Sequence, residues 1–542
     1  MKDWYRHAVI YQADVRHFQD SDGDGTGDLQ GVIERLPYLR GLGVTCLWLT
    51  PFYVSPFRDG GYDVVNHLEV DPRLGSLTDV VALLESAESL GIRVLVDLVV
   101  HHTSDQHPWF QQARSDRQSR YRGYYVWADE PLQTDEKPIF PSVENSVWAW
   151  DESAGQYYRH IFYRHQPDLN IANPQVREEI HRIMAFWLRL GVSGFRVDAA
   201  SHMVKGAREA DPRDEGYWFM RELRDFVRAR NPEAVLFGEV DVPPADYARY
   251  FGDGDRLTLV SNFWLNNHLY LALARGSAEP LQRALRKQPR APDDAQYAVW
   301  VRNHDELDLE RLSEAEREEV LKRFAPEPDM RVYNRGIRRR LPPMLDGDVD
   351  WIAMAHALVM ALPGTPILRY GSEIGMGDDL SLAERHAVRT VMQWSDETNA
   401  GFSTVDPARL ELPLIREGPF RYQRVNVDQQ TLDDRSLLAR IGKIARARLG
   451  LVAMGSGRYR VLETDSPAVL AIEHLGREPH QRTLALANLS REPVQAALPA
   501  VALDKMMDVM CNGPYKRSAE APGTVALHGH GYRWMRRRRD GA

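Results

Sequence analysis

Residues 194–202 read GFRVDAASH, and this stretch decides how the chain is organised. It opens as a short strand, Gly194-Phe195-Arg196-Val197, and delivers Asp198 at its C-terminal end, where small residues take over. Side chains on a strand repeat every second residue, so Arg196 and Asp198 project to one side and can face one pocket. An opposite charge within a few ångströms lowers a carboxyl pKa, so the pairing predicts an ionised, oriented Asp198, the state a nucleophile requires. The same pair would also serve as a structural salt bridge at a strand end, and the surrounding chain has to decide between the two.

Outward from this strand, the first two-thirds of the chain alternates short β-branched or aromatic runs with longer amphipathic stretches, which argues for βα units and a parallel sheet. Strands are expected at residues 8–18, 45–50, 94–100, 194–197, 234–237, 257–263, 297–301 and 366–370. Helical periodicity lies between them, as in 80–90 and in 176–190, where Ile180, Ile183, Met184, Trp187 and Leu188 share a face. Eight βα repeats are the count of an α/β fold, the (β/α)8 TIM barrel, whose chemistry gathers at the C-terminal ends of the strands. Residues 103–165, rich in Tyr, Trp, Asp and Ser, break the alternation and read as an inserted subdomain after the third strand, placed over the barrel mouth. From 455 onward come short alternating runs with turn residues, such as Ala468-Val469-Leu470-Ala471-Ile472, the pattern of a small β-sandwich. The expected organisation is therefore a barrel over 1–102 and 166–454, an insert over 103–165 and a C-terminal β-sandwich over 455–542.

Composition narrows the class. With 43% hydrophobic and 27% charged residues the chain can bury the cores of a soluble globular enzyme. A net charge of −9 argues against nucleic acid as a partner, since a binder would carry a basic stripe. Cys46 and Cys511 are too few and too far apart for a disulfide framework, which points to a reducing compartment. The opening MKDWYRHAVIYQ lacks an apolar leader core, and no run of about 20 apolar residues occurs, so a cytoplasmic protein without a membrane partner is expected.

The strand ends carry chemistry. After the third strand comes DLVVHHTS, with Asp97 inside the strand and His102 just past it, and the loop after the second leads to GYDV, with Tyr62 and Asp63. After the fifth comes GEV with Glu239, and after the seventh RNHDE with His304 and Asp305. A single such end says little; polar residues at the ends of the third, fourth, fifth and seventh strands together say that a site is built there.

With DLVVHHTS, QPDLN, GFRVDAASH, GEV, RNHDE and GTPILRYGSEIGM in that order, the chain resembles the α-amylase family of glycoside hydrolases over nearly its whole length. The resemblance implies that Asp198 is the nucleophile, Glu239 the general acid/base and Asp305 the stabiliser of the transition state. It further implies that Tyr62, Asp63, His102, Arg196, His304 and Arg389 hold the innermost glucose. Retaining glycoside chemistry needs one ionised and one protonated carboxyl about 5 Å apart, and the apolar neighbours Leu236 and Phe237 suit Glu239 to the raised-pKa role. Within the family the resemblance is strongest to the trehalose synthase subfamily, which isomerises maltose to trehalose, through RNHDELDLE, RVYNRGIRRRLPPML and VRTVMQWSDETNAGFS. The implied substrate is a small α-glucoside, with the inserted subdomain and the approach at 346–351 closing the mouth so that transfer outruns hydrolysis. The chain departs from that subfamily at GEVD, where AEAN is usual, and at Ala200-Ser201-His202, where Val-Pro-Tyr is usual. Those positions flank the acid and the nucleophile, so an α-glucosidase hydrolysing short α-glucosides stands as the alternative.

One further motif has its own mechanism. DSDGDGTGD, residues 20–28, sets acidic side chains at alternate positions with interposed glycines, an arrangement that wraps a hard cation in oxygen. Asp20, Asp22, Asp24 and Asp28, with the carbonyl of Thr26, are the expected ligands of a structural Ca2+, and related oligo-glucosidases resemble the chain here. No organic cofactor is expected.

Overall fold

The computed structural model describes residues 3–132, 136–478, 480–499, 503, 505–515 and 523–537. Eight parallel strands close into one barrel in chain order: β1 (Ile10–Ala13), β2 (Cys46–Leu49), β3 (Arg93–Leu98), β4 (Gly194–Val197), β5 (Val235–Gly238), β6 (Leu259–Ser261), β7 (Gln296–Trp300) and β8 (Thr365–Arg369). All eight expected strands are present; the fourth has the expected bounds, and the other seven are trimmed or shifted at their ends. The largest difference is at the first, where the apolar run does not continue as strand through residue 18. Asp14 accepts a hydrogen bond from the Arg16 amide and caps a helical turn, Val15–Phe18, so the strand stops at Ala13.

Period-two alternation sorts the barrel interior. Ile10, Cys46, Trp48, Leu95, Val235, Phe237, Leu259, Ala298, Trp300 and Ile367 form one buried apolar cluster, while Gln12, Asp97, Arg196 and Arg369 are buried polar residues of the barrel strands. Register sets their level: Asp97 lies opposite Arg196 across β3 and β4, and Phe237 opposite Arg196 across β5 and β4. Close strand approach at β4 needs a glycine, because a Cβ on Gly194, at φ +144°, would stand 2.2 Å from the Val235 carbonyl oxygen.

Helices shield the barrel as their sequences dictate. In α1 (Leu77–Ser89) Ser76 and Asp79 form a capping box. In α2 (Pro174–Leu190) Asn173 caps the start, Pro174 occupies the first turn, Gly191 closes the end at φ +113°, and Ile180, Ile183, Met184 and Trp187 are buried. The third helix used below, α3 (Val349–Ala361), is buried continuously from Trp351 to Ala361.

Two excursions leave the barrel near the site. The expected insert after β3 contains a helix, Pro108–Ser115, and a three-stranded antiparallel sheet of Trp127–Ala128, Gln156–Arg159 and Trp148–Asp151. A second, which the alternation did not reveal, follows β7: a small sheet of Leu307–Asp308, Gly336–Ile337 and Arg331–Val332. The C-terminal part carries β9 (Tyr459–Leu462), β10 (Val469–Leu475), β11 (Arg482–Asn488), β12 (Val494–Ala497), β13 (Met506–Cys511), β14 (Thr524–Leu527) and β15 (Tyr532–Arg537). They form a five-stranded antiparallel sheet, β9-β10-β11-β15-β13, and a two-stranded one, β12-β14. Val469, Leu484 and Met535 of the first share a buried cluster with Ala496, Val525 and Leu527 of the second. Among the described residues no helix is long and apolar enough to cross a membrane.

Candidate active site

Arg196 is the electrostatic centre of the barrel mouth. Its buried guanidinium reaches three carboxylates: Nη1 donates to Asp97 Oδ1 (2.9 Å) and to Asp198 Oδ1, and Nη2 pairs with Glu239 Oε1 (2.7 Å). Neighbours fix each partner. Trp48 Nε1–H donates to Asp97 Oδ2 (2.8 Å), the Asp198 amide to the Leu98 carbonyl (3.1 Å), and the Ala199 amide to Glu239 Oε2 (3.0 Å). A buried ion pair broken on one side costs about 3–5 kcal/mol, so this cluster holds its geometry.

Burial dominates the acids on Arg196. It pushes Asp198 up to about 6, with Arg196 pulling the other way and Asp97 and Asp305 adding repulsion. The expected lowering by Arg196 is thus outweighed by desolvation, which disfavours the charged form. Burial likewise raises Glu239 to about 7, against Arg196 and with Asp198 and Asp305. The order needed for paired carboxyls remains, since Asp198 ionises before Glu239.

Asp305 sits in the opposite environment. Burial works against its ionisation, but His304, Arg385 and Arg389 hold its carboxyl well below the usual range. Arg385 Nη1 (2.7 Å) and Arg389 Nη2 (3.0 Å) both donate to Oδ1. Burial pushes the His304 imidazole far below its ordinary value, against the pull of Asp305. With Gln12 donating its amide to His304 Nδ1 (2.6 Å), the ring proton lies on Nε2, 3.2 Å from Asp305 Oδ2. Tyr62 stacks on this ring at 5.1 Å and 10°.

The remaining expected residues divide. His102 is buried beside Phe162, its Nε2 on the Tyr62 carbonyl (3.0 Å), and burial lowers it to about 4. Arg389 lies at the site, donating through Nε to the His304 carbonyl (3.0 Å). Asp63 does not. Its fully buried carboxylate accepts from Ser55 Oγ (3.0 Å) and from the Arg58 and Asp59 amides, so it serves to fold its own loop. The acid that turns to the site is Asp59, which takes both oxygens to Arg385 (2.8 and 2.9 Å), meets Arg389 (3.4 Å) and accepts from Gln166 (3.0 Å). Gly60 and Gly61, at φ +59° and +100°, make the turn between the two acids, and a Cβ on Gly60 would stand 2.6 Å from Arg389 Nη1. Asp59, Gln166 and Arg385 were missed as site residues; the one local signal was a second acid in RDGGYD.

Glu239, Asp305 and Arg385 open onto a cavity of about 820 Å³. Its roof comes from Phe140 and Phe162 of the insert and from Tyr333 and Arg335 of the second excursion. The approach at 346–351, expected to close the mouth, does other work, for Trp351 stacks on His530 of the C-terminal part at 4.9 Å and 4°. Asp241, in the departing GEVD, lines the same cavity and pairs with Arg311 at 3.0 Å.

In the 20–28 loop, carboxylate oxygens of Asp20, Asp22 and Asp28 lie within 4.8 Å of one another. Asp20 also accepts from the Gly23 and Gly25 amides, and Asp28 caps the following helix at Gly31. Asp24 stands outside the group, its Oδ1 taking the Thr26 amide (2.7 Å). Asp22 is raised by burial first and also by the charges of Asp24, Asp20 and Asp28, repulsion that a cation would relieve. The hard oxygen donors fit calcium.

The catalytic domain of the α-amylase family matches residues 11–324 and 339–455 of this sequence. The chain belongs to the α-amylase family. Among curated members, the trehalose synthase/amylase of Mycobacterium tuberculosis is 40% identical over 541 residues, covering 98% of this chain and 90% of that protein. The trehalose synthase of Pimelobacter sp. is 39% identical over 549 residues, covering 98% and 96%. Among solved structures, isomaltulose synthase from Klebsiella sp. superposes with a TM-score of 0.76 at 26% identity, covering 98% of this chain and 99% of that one.

Proposed function

We propose that this family member is a retaining α-glucosyltransferase that converts maltose to trehalose inside one cavity, with hydrolysis as a competing path. The observation that carries the reading is a cavity lined by Glu239, Asp305 and Arg385, in which Asp305 is held by Arg385 and Arg389, both of them also paired with Asp59. In this reading the Asp59 ion pairs limit the site to one terminal glucosyl unit, and the second sugar of a small α-glucoside occupies the space beneath the roof. Asp198 and Glu239 share one guanidinium, which holds the two carboxyls in one cluster, as a retaining mechanism requires. The trehalose synthase relatives span nearly the whole chain and support the same reading.

The steps follow from the residues. The Asp198 carboxylate attacks the anomeric carbon of the non-reducing glucose and forms a β-glucosyl ester. Glu239 gives its proton to the departing O4 as the glycosidic bond breaks, and the ionised Asp305 offsets positive charge on the sugar in the transition state. The freed glucose turns beneath the roof, and its anomeric hydroxyl attacks the anomeric carbon of the glucosyl ester. The hydroxyl proton passes to Glu239, Asp198 leaves, and two inversions restore an α bond, giving trehalose. Water entering instead yields two glucose molecules. Incubation with maltose followed by product chromatography is expected to give mainly trehalose with some glucose. Glucose as sole product at high maltose and low temperature would leave the α-glucosidase reading in its place.

We propose further that Asp20, Asp22 and Asp28 hold a structural Ca2+, which takes no part in glucosyl transfer. A ligand bound by the folded state alone stabilises it by mass action, so chelation is expected to lower the melting temperature by about 2 °C or more. An unmoved melting temperature, with no calcium by elemental analysis, removes the ion. The cytoplasm is the proposed compartment, one in which the unpaired Cys46 and Cys511 stay thiols.

A further inference from the structure

Arg385 touches one catalytic carboxylate, Asp305, and the roof. Its edge is spent on Asp305 and Asp59, while its face covers the Phe140 ring at 4.7 Å. The residue before it, Glu384, is held at φ +47°, a left-handed conformation that is strained for a non-glycine residue. What holds it there is a pair of tyrosines: Glu384 Oε2 accepts the hydroxyls of Tyr163, from the insert, and Tyr333, from the second excursion. Those hydroxyls stand 3.0 Å apart, and Phe140 packs against both rings at 4.3 and 4.7 Å. Two roof segments distant in sequence thus meet on one dipeptide that also grips Asp305.

We propose that Glu384–Arg385 is a latch: docking of Tyr163 and Tyr333 on Glu384 shuts the cavity and at the same time pins Arg385 on Asp305 and Asp59. Closure and the readiness of the transition-state stabiliser are then one event. Its part in choosing between transfer and hydrolysis rests on the isomerase reading above; its part in closure does not. Arg385 and Glu384 act as positioning residues, through Asp305 and the roof.

The test removes the two hydroxyls and keeps the rings, in Tyr163→Phe with Tyr333→Phe, and separately neutralises the acceptor in Glu384→Gln. Hydrogen bonds to a charged group are strong enough for their loss to open the roof about tenfold more often. Amide exchange at 136–141 and 331–337 is therefore expected to quicken about tenfold in both variants. With maltose, glucose formed per trehalose is expected to rise by a similar factor, as water gains entry to the ester. Unchanged exchange at both segments overturns the latch whatever the products are. Faster exchange with an unchanged product ratio overturns its control of partition. If the native enzyme gives only glucose from maltose, the isomerase reading falls, and the exchange result still decides the latch.

Discussion

Replacing Asp198 by Asn is expected to lower turnover of maltose at least about a thousandfold, roughly 4 kcal/mol of barrier, the scale of losing a covalent nucleophile. The amide cannot form the ester, and it also removes the acid nearest Arg196. The fold should survive, because Arg196 keeps Asp97 and Glu239 as partners and the backbone link from Asp198 to Leu98 is untouched. Trapping gives a second reading: a slow fluoroglucosyl donor should label the native chain at Asp198 and leave the variant unlabelled. Turnover within tenfold of native would move the nucleophile elsewhere.

Glu239→Gln is expected to lose about a hundred- to ten-thousandfold on maltose, and far less on nitrophenyl α-glucoside, whose leaving group needs no proton. The pH profile supplies the sign. Asp198 must be ionised, and it is raised to about 6, so kcat/KM falls as pH drops through that value. Glu239 must be protonated, and it is raised to about 7, so kcat/KM falls as pH climbs through that one. The native enzyme should therefore give a narrow bell, and Glu239→Gln should keep the acid limb and lose the alkaline one. Equal losses on both donors, or an alkaline limb that persists, would count against the assignment.

What the sequence made legible was local. Strands buried on both faces print themselves as β-branched and aromatic runs, so all eight barrel strands could be placed, and their ends then located Asp198, Glu239 and Asp305. The long-range partners left no such print. Asp59 and Arg385 meet across 326 positions, and neither flank hints at the other. In RDGGYD the choice between Asp59 and Asp63 depends on a glycine turn whose direction appears only in three dimensions. The pKa of Asp198 shows the same limit from another side: an arginine two residues away is visible in the sequence, whereas the depth of burial that outweighs it is not. The excursion after β7 escaped because its strands span two residues each, too short for a periodicity to register.

The helix α3 is covered by the rest of the chain over most of its length. Its residues from Trp351 to Ala361 are all buried, between the barrel strands β7 and β8 and the sheet strands β11 and β15. The Ala361 carbonyl even takes its partner from His474 on β10. On a translating ribosome this helix emerges well before the strands that cover it. The barrel can close around its own strands by then, yet one wall stays oily and bare until the C-terminal strands arrive. Until that moment the nascent chain offers an apolar surface to chaperones and to neighbouring chains, and the sandwich that bears no chemistry is what ends the exposure.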